Sequence, residues 1–197
     1  MKKFELTTNT KMFLGKKLFQ IKALISFGDV KAGELGGYIE KEENLSQTGD
    51  AWVFDNAWVS GDARVSGNAW VTDNARVTDN ARVFDNAWVS GNARVFDNAR
   101  VSDNARVSDN ARVSGDAWVS DNACYTTIKG FGREYRTTTF FRCKDGKVRV
   151  QCGCFYGDLK EFRAIVKKTH GESKKAKEYL MIADLMELHF EENENDK

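Results

Sequence analysis

From Asp50 to Cys124 the chain repeats one hexad, [DN]-A-[WR]-V-[STF]-[DG], in thirteen successive copies with no insertion or deletion, the last decaying at Cys124. Ala recurs at every sixth position from Ala51 to Ala123, and Val from Val53 to Val119. In an extended chain residues two apart point to the same side, so Ala and Val share one face and the intervening Trp or Arg points to the other. The [DG]-[ND] step supplies residues that tolerate a positive φ and close corners with their own side chains. Short strands joined by corners at so strict a period predict a coil rather than a flat sheet.

A hexad with an inward aliphatic residue and a small residue two positions before it resembles the hexapeptide repeat of left-handed parallel β-helices, in which three hexads make one triangular coil. The resemblance covers residues 35–125 and implies a prism filled with Ala and Val alone, about 20 Å long over the perfect repeats. A ligand then binds outside, at a corner, or between chains. Proline usage agrees: an average chain of this length carries about ten, this one carries none, and a strand ladder needs its N–H groups.

Three modules follow from this reading. Residues 1–34 form a small β cap, with a hairpin expected around Gly15-Lys16-Lys17 between Phe13 and Ile21, because a β-helix end must be covered. The solenoid spans 35–125, with Ile39 and Leu45 expected in register with the small inward position of Ala51. Residues 126–190 form an α+β module and 191–197 an acidic tail. In that module a two-residue Asp145-Gly146 turn puts Thr139, Phe141 and Cys143 on one face with Val148, Val150, Cys152 and Cys154, leaving Phe140, Arg142, Lys147 and Arg149 on the solvent face. Asp158 with Glu161 is a capping box opening a helix that ends at Gly171, and a second helix runs from Lys174 to Phe190. The fold class is thus mostly β: a left-handed parallel β-helix of hexapeptide repeats with an N-terminal β cap and a C-terminal α+β module.

Two further segments carry a resemblance. Phe27-Gly28-Asp29-Val30 with Gly33–Glu40 and Glu42–Ser46, and then Thr137–Arg142 with Cys152-Gly153-Cys154-Phe155, look similar to segments of hexapeptide-repeat proteins carried by bacteriophages and prophages. The resemblance implies a phage-associated setting inside the host cytoplasm and brings no activity with it.

The known enzymes of this coil type are acyltransferases using CoA or acyl carrier protein, with a catalytic His between prisms and loops that interrupt the coil. Here the two histidines, His170 and His189, lie in the C-terminal helices, and the repeats admit no loop. A corner Asp, with an ordinary pKa near 4, is poorly matched to general-base work. Cys124, Cys143, Cys152 and Cys154 lack the spacing of a zinc knuckle or ribbon and read as small hydrophobes. The expectation is therefore a non-enzyme with no cofactor and no metal. The N-terminus lacks the apolar run of a signal peptide and no stretch has the length of a membrane helix, which predicts a cytoplasmic protein.

Eighteen residues per coil sort the outward positions onto three faces. Trp52, Trp70 and Trp88 fall in line on one and form the expected homotrimer interface. Arg76, Arg94 and Arg112 fall on the second, and Arg64, Arg82 and Arg100 on the third, as candidate anion- or partner-binding ladders. Like charges about 5 Å apart in water repel by only about 0.8 kcal/mol, and corner aspartates such as Asp73, Asp79, Asp97 and Asp109 are expected to offset them. Residues 51–123 hold seven Arg against ten Asp, which argues against nonspecific nucleic-acid binding by the prism. Residues 124–190 carry 14 basic against 8 acidic side chains, and Arg142, Lys147 and Arg149 beside Phe140, with Lys129, Arg133, Arg136 and Tyr135, form a second candidate surface for a polyanion or protein. The function expected is that of a non-catalytic phage binding protein that interferes with a host process such as antiviral defence, by occluding a protein or sequestering a nucleotide signal. The alternatives are a CoA-dependent acyltransferase-like enzyme and a virion or assembly component.

Overall fold

The computed structural model describes residues 2–132, 134 and 136–191, in two compact units, Met1–Asn122 and Ala123–Lys197. In the first, each [WR]-V pair is a two-residue strand, from Trp52–Val53 (β4) to Trp118–Val119 (β15). Each strand pairs in parallel with the one eighteen positions later, as in Trp52↔Trp70, Trp70↔Trp88 and Trp88↔Arg106. Three sheets result, one per face of a triangular parallel β-solenoid with five stacked rungs, beginning with Leu35–Ile39 (β3), on one of them. The ladder is regular: Trp52 N donates to Ala69 O at 3.1 Å and Phe54 N to Val71 O at 2.8 Å, and the pattern recurs up the stack. Ala51 through Ala117 and Val53 through Val119 are at most 1% exposed, so the interior is an unbroken Ala/Val column.

The corners explain why only Asp or Gly ends a hexad. Asp55, Asp73, Asp79, Asp85, Asp97, Asp103 and Asp109 all have φ between 51° and 61°, and Gly61, Gly67, Gly91 and Gly115 share that left-handed conformation. Where Gly stands the next coil comes close: a Cβ on Gly67 would lie 2.8 Å from Asp85 N. The corner carboxylates bond the coil itself. Asp73 accepts from Thr72 Oγ1 (3.0 Å) and Gly91 N (2.8 Å), Asp97 from Gly115 N (3.0 Å), Asp79 from Thr78 Oγ1 (2.7 Å) and Asp109 from Ser108 Oγ (3.2 Å). All four acids thus accept hydrogen bonds at their corners, Asp73 and Asp97 from the backbone of the next coil.

The first coil departs from the sequence-based register. Ile39 pairs with Val59 and Leu45 with Val65, so both occupy the Val position, twenty residues from their partners, not the Ala position. The two extra residues sit between Leu45 and Ala51, where Gln47 Oε1 accepts from Lys3 N (2.8 Å) and Phe4 N (3.3 Å). In the cap, Phe4–Phe13 (β1) and Lys16–Ala23 (β2) form a hairpin turning at Leu14-Gly15, just before the expected Gly15-Lys16-Lys17, and β2 joins β3 antiparallel, extending one solenoid face to seven strands. Lys3 is 2% exposed and donates to Ala51 O (2.8 Å) and Gly49 O (3.2 Å), with Phe27 4.8 Å from its ammonium.

The second unit is a four-stranded antiparallel sheet, Tyr125–Phe131 (β16), Arg136–Arg142 (β17), Val148–Cys152 (β18) and Phe155–Asp158 (β19), with helices Leu159–His170 (α1) and Lys174–Phe190 (α2). Asp158 and Glu161 bond reciprocally at the start of α1 and Gly171 caps its end. The hairpin register is one residue off the sequence-based one. Cys143 N donates to Lys147 O and Gly146 N to Cys143 O, both at 2.9 Å, which makes a three-residue loop, so Phe140 pairs with Val150 and Phe141 with Arg149. A one-residue slip moves every side chain of a strand to the other face. Phe140 is consequently fully buried, edge-on to Phe162 at 6.1 Å, and cannot be a surface contact. Arg142 lies on that same side, donating to Phe190 O at 2.9 Å, whereas Arg149 pairs with Asp145 at 2.8 Å and Lys147 is exposed. Cys152 packs against the helix core while Cys154, expected inside, is exposed.

Two outcomes are expected. Burial, opposed by Asp50, pulls the Lys3 pKa from the ordinary 10.5 down to about 8. Between those values the unfolded chain binds a proton the folded chain does not, so stability due to Lys3 rises with pH across that window and is lowest below it. Wild type relative to Lys3→Met should gain up to about 3 kcal/mol over the window, read from denaturant melts; a constant difference would contradict it. In the second unit, Phe140→Asp should cost about 3 kcal/mol or more, while Lys147→Glu changes stability by less than about 0.5 kcal/mol.

Candidate functional site

The three faces carry the same Trp/Arg hexads yet differ in what covers them. On the first, Trp52 is 0% exposed, enclosed edge-on by Phe4 (6.2 Å) and Phe27 (5.3 Å). It cannot contribute to a contact between chains, which corrects the expected three-tryptophan interface. Trp70 and Trp88 are half-buried in a continuous stack: Phe54 lies 5.3 Å from Trp70, Trp70 5.8 Å from Trp88, and Arg106 5.3 Å over Trp88, whose Nε1 donates to Thr72 Oγ1. The aromatic surface is largely consumed within the chain.

The second face is a cation and aromatic sandwich. The hairpin tip brings Phe13 to 4.7 Å from the Arg76 guanidinium, with Trp58 5.6 Å away, and Arg112 lies 5.6 Å over Phe96. Burial, and then Arg94, lowers the Arg76 pKa from its usual value, a cost offset by the two rings. Arg94 stays exposed between the two packed arginines.

The third face is left open. Arg64, Arg82 and Arg100 stack in register, with Trp118 on the next rung. All three arginines are exposed and Trp118 is 42% exposed. Among the described residues none of the three guanidiniums makes a hydrogen bond or ion pair. Below them Asn44, completely buried, donates to Gly61 O (3.0 Å) and Ala63 O (2.9 Å), so the ladder starts at Arg64. Asp62 is taken by Lys41 at 2.6 Å; that bond chiefly, and Arg64 after it, hold its carboxyl below the ordinary range. The arginines line a groove of about 470 Å³ together with Ser46, Ser66, Phe84, Glu43 and Asp85. Neighbouring rungs lie about 4.8 Å apart, so the groove offers three fork-shaped donors at fixed pitch, one aromatic wall, and an indole beyond. Sequence reasoning placed the three arginines together but did not single this ladder out. The eighteen-residue count puts Trp118 in line with them, whereas Phe84, a corner residue in that count, was missed as a neighbour.

The other sequence candidates are dispersed. His170 stacks on Tyr179 at 6.0 Å and His189 packs against Phe190 at 4.9 Å, both within the helical module. Among the described residues no three His, Cys, Asp or Glu side chains gather in a metal-binding group. In the basic hairpin, Arg133 and Tyr135 lie outside the described residues; of the others Lys129, Arg136 and Lys147 are exposed. No described helix is long and apolar enough to cross a membrane.

Stacked parallel rungs around an Ala/Val column define a β-solenoid repeat protein. The YdcK beta solenoid repeat is the family model that matches, over residues 57–73, 75–91, 87–103, 93–108, 99–115 and 105–121. Each matched segment starts on an inward alanine, from Ala57 to Ala105, so it reads about one coil in the hexad frame seen in the structure. No curated protein matches the chain.

The burial contrast along the stack is measurable. Trp52→Ala should cost about 3–5 kcal/mol, since it empties the space beneath Phe4 and Phe27. Trp118→Ala should change stability by less than about 0.5 kcal/mol. Chemical denaturation of the two variants compares them directly.

Proposed function

We propose that the protein is a non-catalytic binder of phosphate-rich small molecules, nucleoside di- and triphosphates foremost, held on the Arg64–Arg82–Arg100 ladder. The observation that carries this reading is three unpaired, exposed guanidiniums at one-rung spacing in a groove, beside an exposed Trp118. Guanidinium groups bind phosphate oxygens through paired N–H donors, and an array of them at fixed spacing spends little entropy in ordering. A base stacked on Trp118 would direct its phosphates down the ladder. The rigid coil supplies placement, and His170 and His189 contact Tyr179 and Phe190 within the helical module. Sequestration of a nucleotide by a cytoplasmic, phage-encoded protein, as a means of blunting a host defence signal, is the biological setting that the phage-type sequence resemblance supports.

Titration calorimetry at low salt with ATP and with inorganic tripolyphosphate tests the reading. Arg82→Ala, which removes the central donor without touching the Ala/Val column, should weaken both by roughly tenfold or more. Trp118→Ala should weaken ATP and leave tripolyphosphate unchanged, and both affinities should fall as salt rises. Absence of binding by the wild type, or equal binding after Arg64, Arg82 and Arg100 are all replaced by Ala, would refute the proposal.

A further inference from the structure

Helix α2 is apolar on both sides. Its inner side, Ala176, Tyr179, Ile182, Ala183, Met186 and Phe190, fills the core of the C-terminal unit. The outer side carries Met181, Leu185 and Leu188, which are 71%, 54% and 66% exposed. Their spacings of four and three residues bring them into one stripe on consecutive turns, with Glu178 one turn before, the a/d pattern of a helix that packs against another helix. This second stripe has no part in the proposed anion site. A contiguous patch of this kind on a soluble chain marks an interaction surface.

The charges on α2 identify what fits it. Lys174, Lys175 and Lys177 crowd the first turn, with no acidic residue there, while Asp184, Glu187 and Glu191 lie toward the end. That is the reverse of what the helix macrodipole favours, negative at the start and positive at the end. Arg163 of α1 engages Asp184 (2.9 Å) and Glu187 (2.6 Å). Glu191 and the acidic sequence after it, Glu192-Asn193-Glu194-Asn195-Asp196, have no basic counterpart in their own stretch before Lys197. A basic start and an acidic end on one helix are self-complementary only when a second identical helix runs antiparallel to it, which is also the arrangement in which the two dipoles attract.

We infer that α2 is a homodimerisation helix, pairing antiparallel with α2 of a second copy of this chain through Met181, Leu185 and Leu188. Leu185 then lies near the two-fold axis and Met181 of each copy beside Leu188 of the other. The lysines at the start of each helix run toward the acidic end of its mate. Such an isologous contact closes on itself and stops at two copies. It uses the C-terminal unit alone and stands whether or not the arginine groove binds a nucleotide.

Sedimentation equilibrium over micromolar to submillimolar concentrations tests the inference on the full chain. A mass tending to twice 22.2 kDa is expected. Leu185→Glu should shift the association constant by roughly tenfold or more toward monomer with an unchanged melting temperature, because Leu185 is not part of the core. The milder Leu188→Gln covers the case in which the first variant misfolds. Lys174→Glu with Lys177→Glu should also weaken the dimer, and adding Glu191→Lys to that pair should recover part of the loss. A monomer throughout the range, an oligomer indifferent to Leu185→Glu and Leu188→Gln, or a stripe that proves to bind only a different protein would overturn the proposal.

Discussion

The parallel backbone ladder between residues eighteen apart is the interaction on which the solenoid rests. Each rung is only two residues long, so no strand has stability of its own; it exists because Ala and Val of one coil sit on Ala and Val of the next and the N–H and C=O groups between them are paired. Registration at one fixed offset has a chemical consequence. Like hexad positions stack on one another, so the outward residues form columns: Trp52, Trp70, Trp88 and Arg106 on one face, Trp58 and three arginines on the second, three arginines and Trp118 on the third. The fold does not choose between using and neutralising those columns.

Each column is handled by what lies over it. The N-terminal hairpin extends one sheet and places Phe13 on Trp58 and Arg76, while Phe4 and Phe27 close over Trp52. Those two faces are thereby structural. On the third face the corresponding position is filled by Asn44, whose amide donates to the Gly61 and Ala63 carbonyls, and among the described residues no ring stacks on the Arg64 guanidinium. The corner acids bond at the corners: Asp73 and Asp97 accept from the next coil, Asp79 and Asp109 from the preceding Thr78 and Ser108. An open arginine ladder thus remains on the third face once the N-terminal aromatic groups have covered parts of the other two.

Several details that misdirect a reading of the sequence share one cause, a change of one or two residues in register. A two-residue Asp-Gly hairpin and a three-residue loop closing on Gly146 look alike in sequence, yet they put Phe140 on opposite sides of the sheet, in solvent or against Phe162. Two additional residues between Leu45 and Ala51 are invisible to a count that steps by six, and they move Ile39 and Leu45 from the small inward position to the large one. Periodicity is informative while it lasts and silent about where it breaks.

Three hexads to a turn, and with it which outward residues stand in line, came with the resemblance to left-handed hexapeptide coils; what the residue pattern determined by itself was Ala and Val inside and Asp or Gly at each corner. Those follow from period-two alternation and backbone sterics, which act between near neighbours and need no knowledge of the rest of the chain. The helices of the second unit were legible for the same reason, since the Asp158–Glu161 box and Gly171 are local signals. Only the tertiary structure decided that Trp52 is core, that Phe140 faces the helices, that Arg64, Arg82 and Arg100 are left without partners, and that Met181, Leu185 and Leu188 remain uncovered. Each of these depends on which distant segment arrives over a given side chain, and burial is a property of the pair of surfaces that meet, not of either sequence alone.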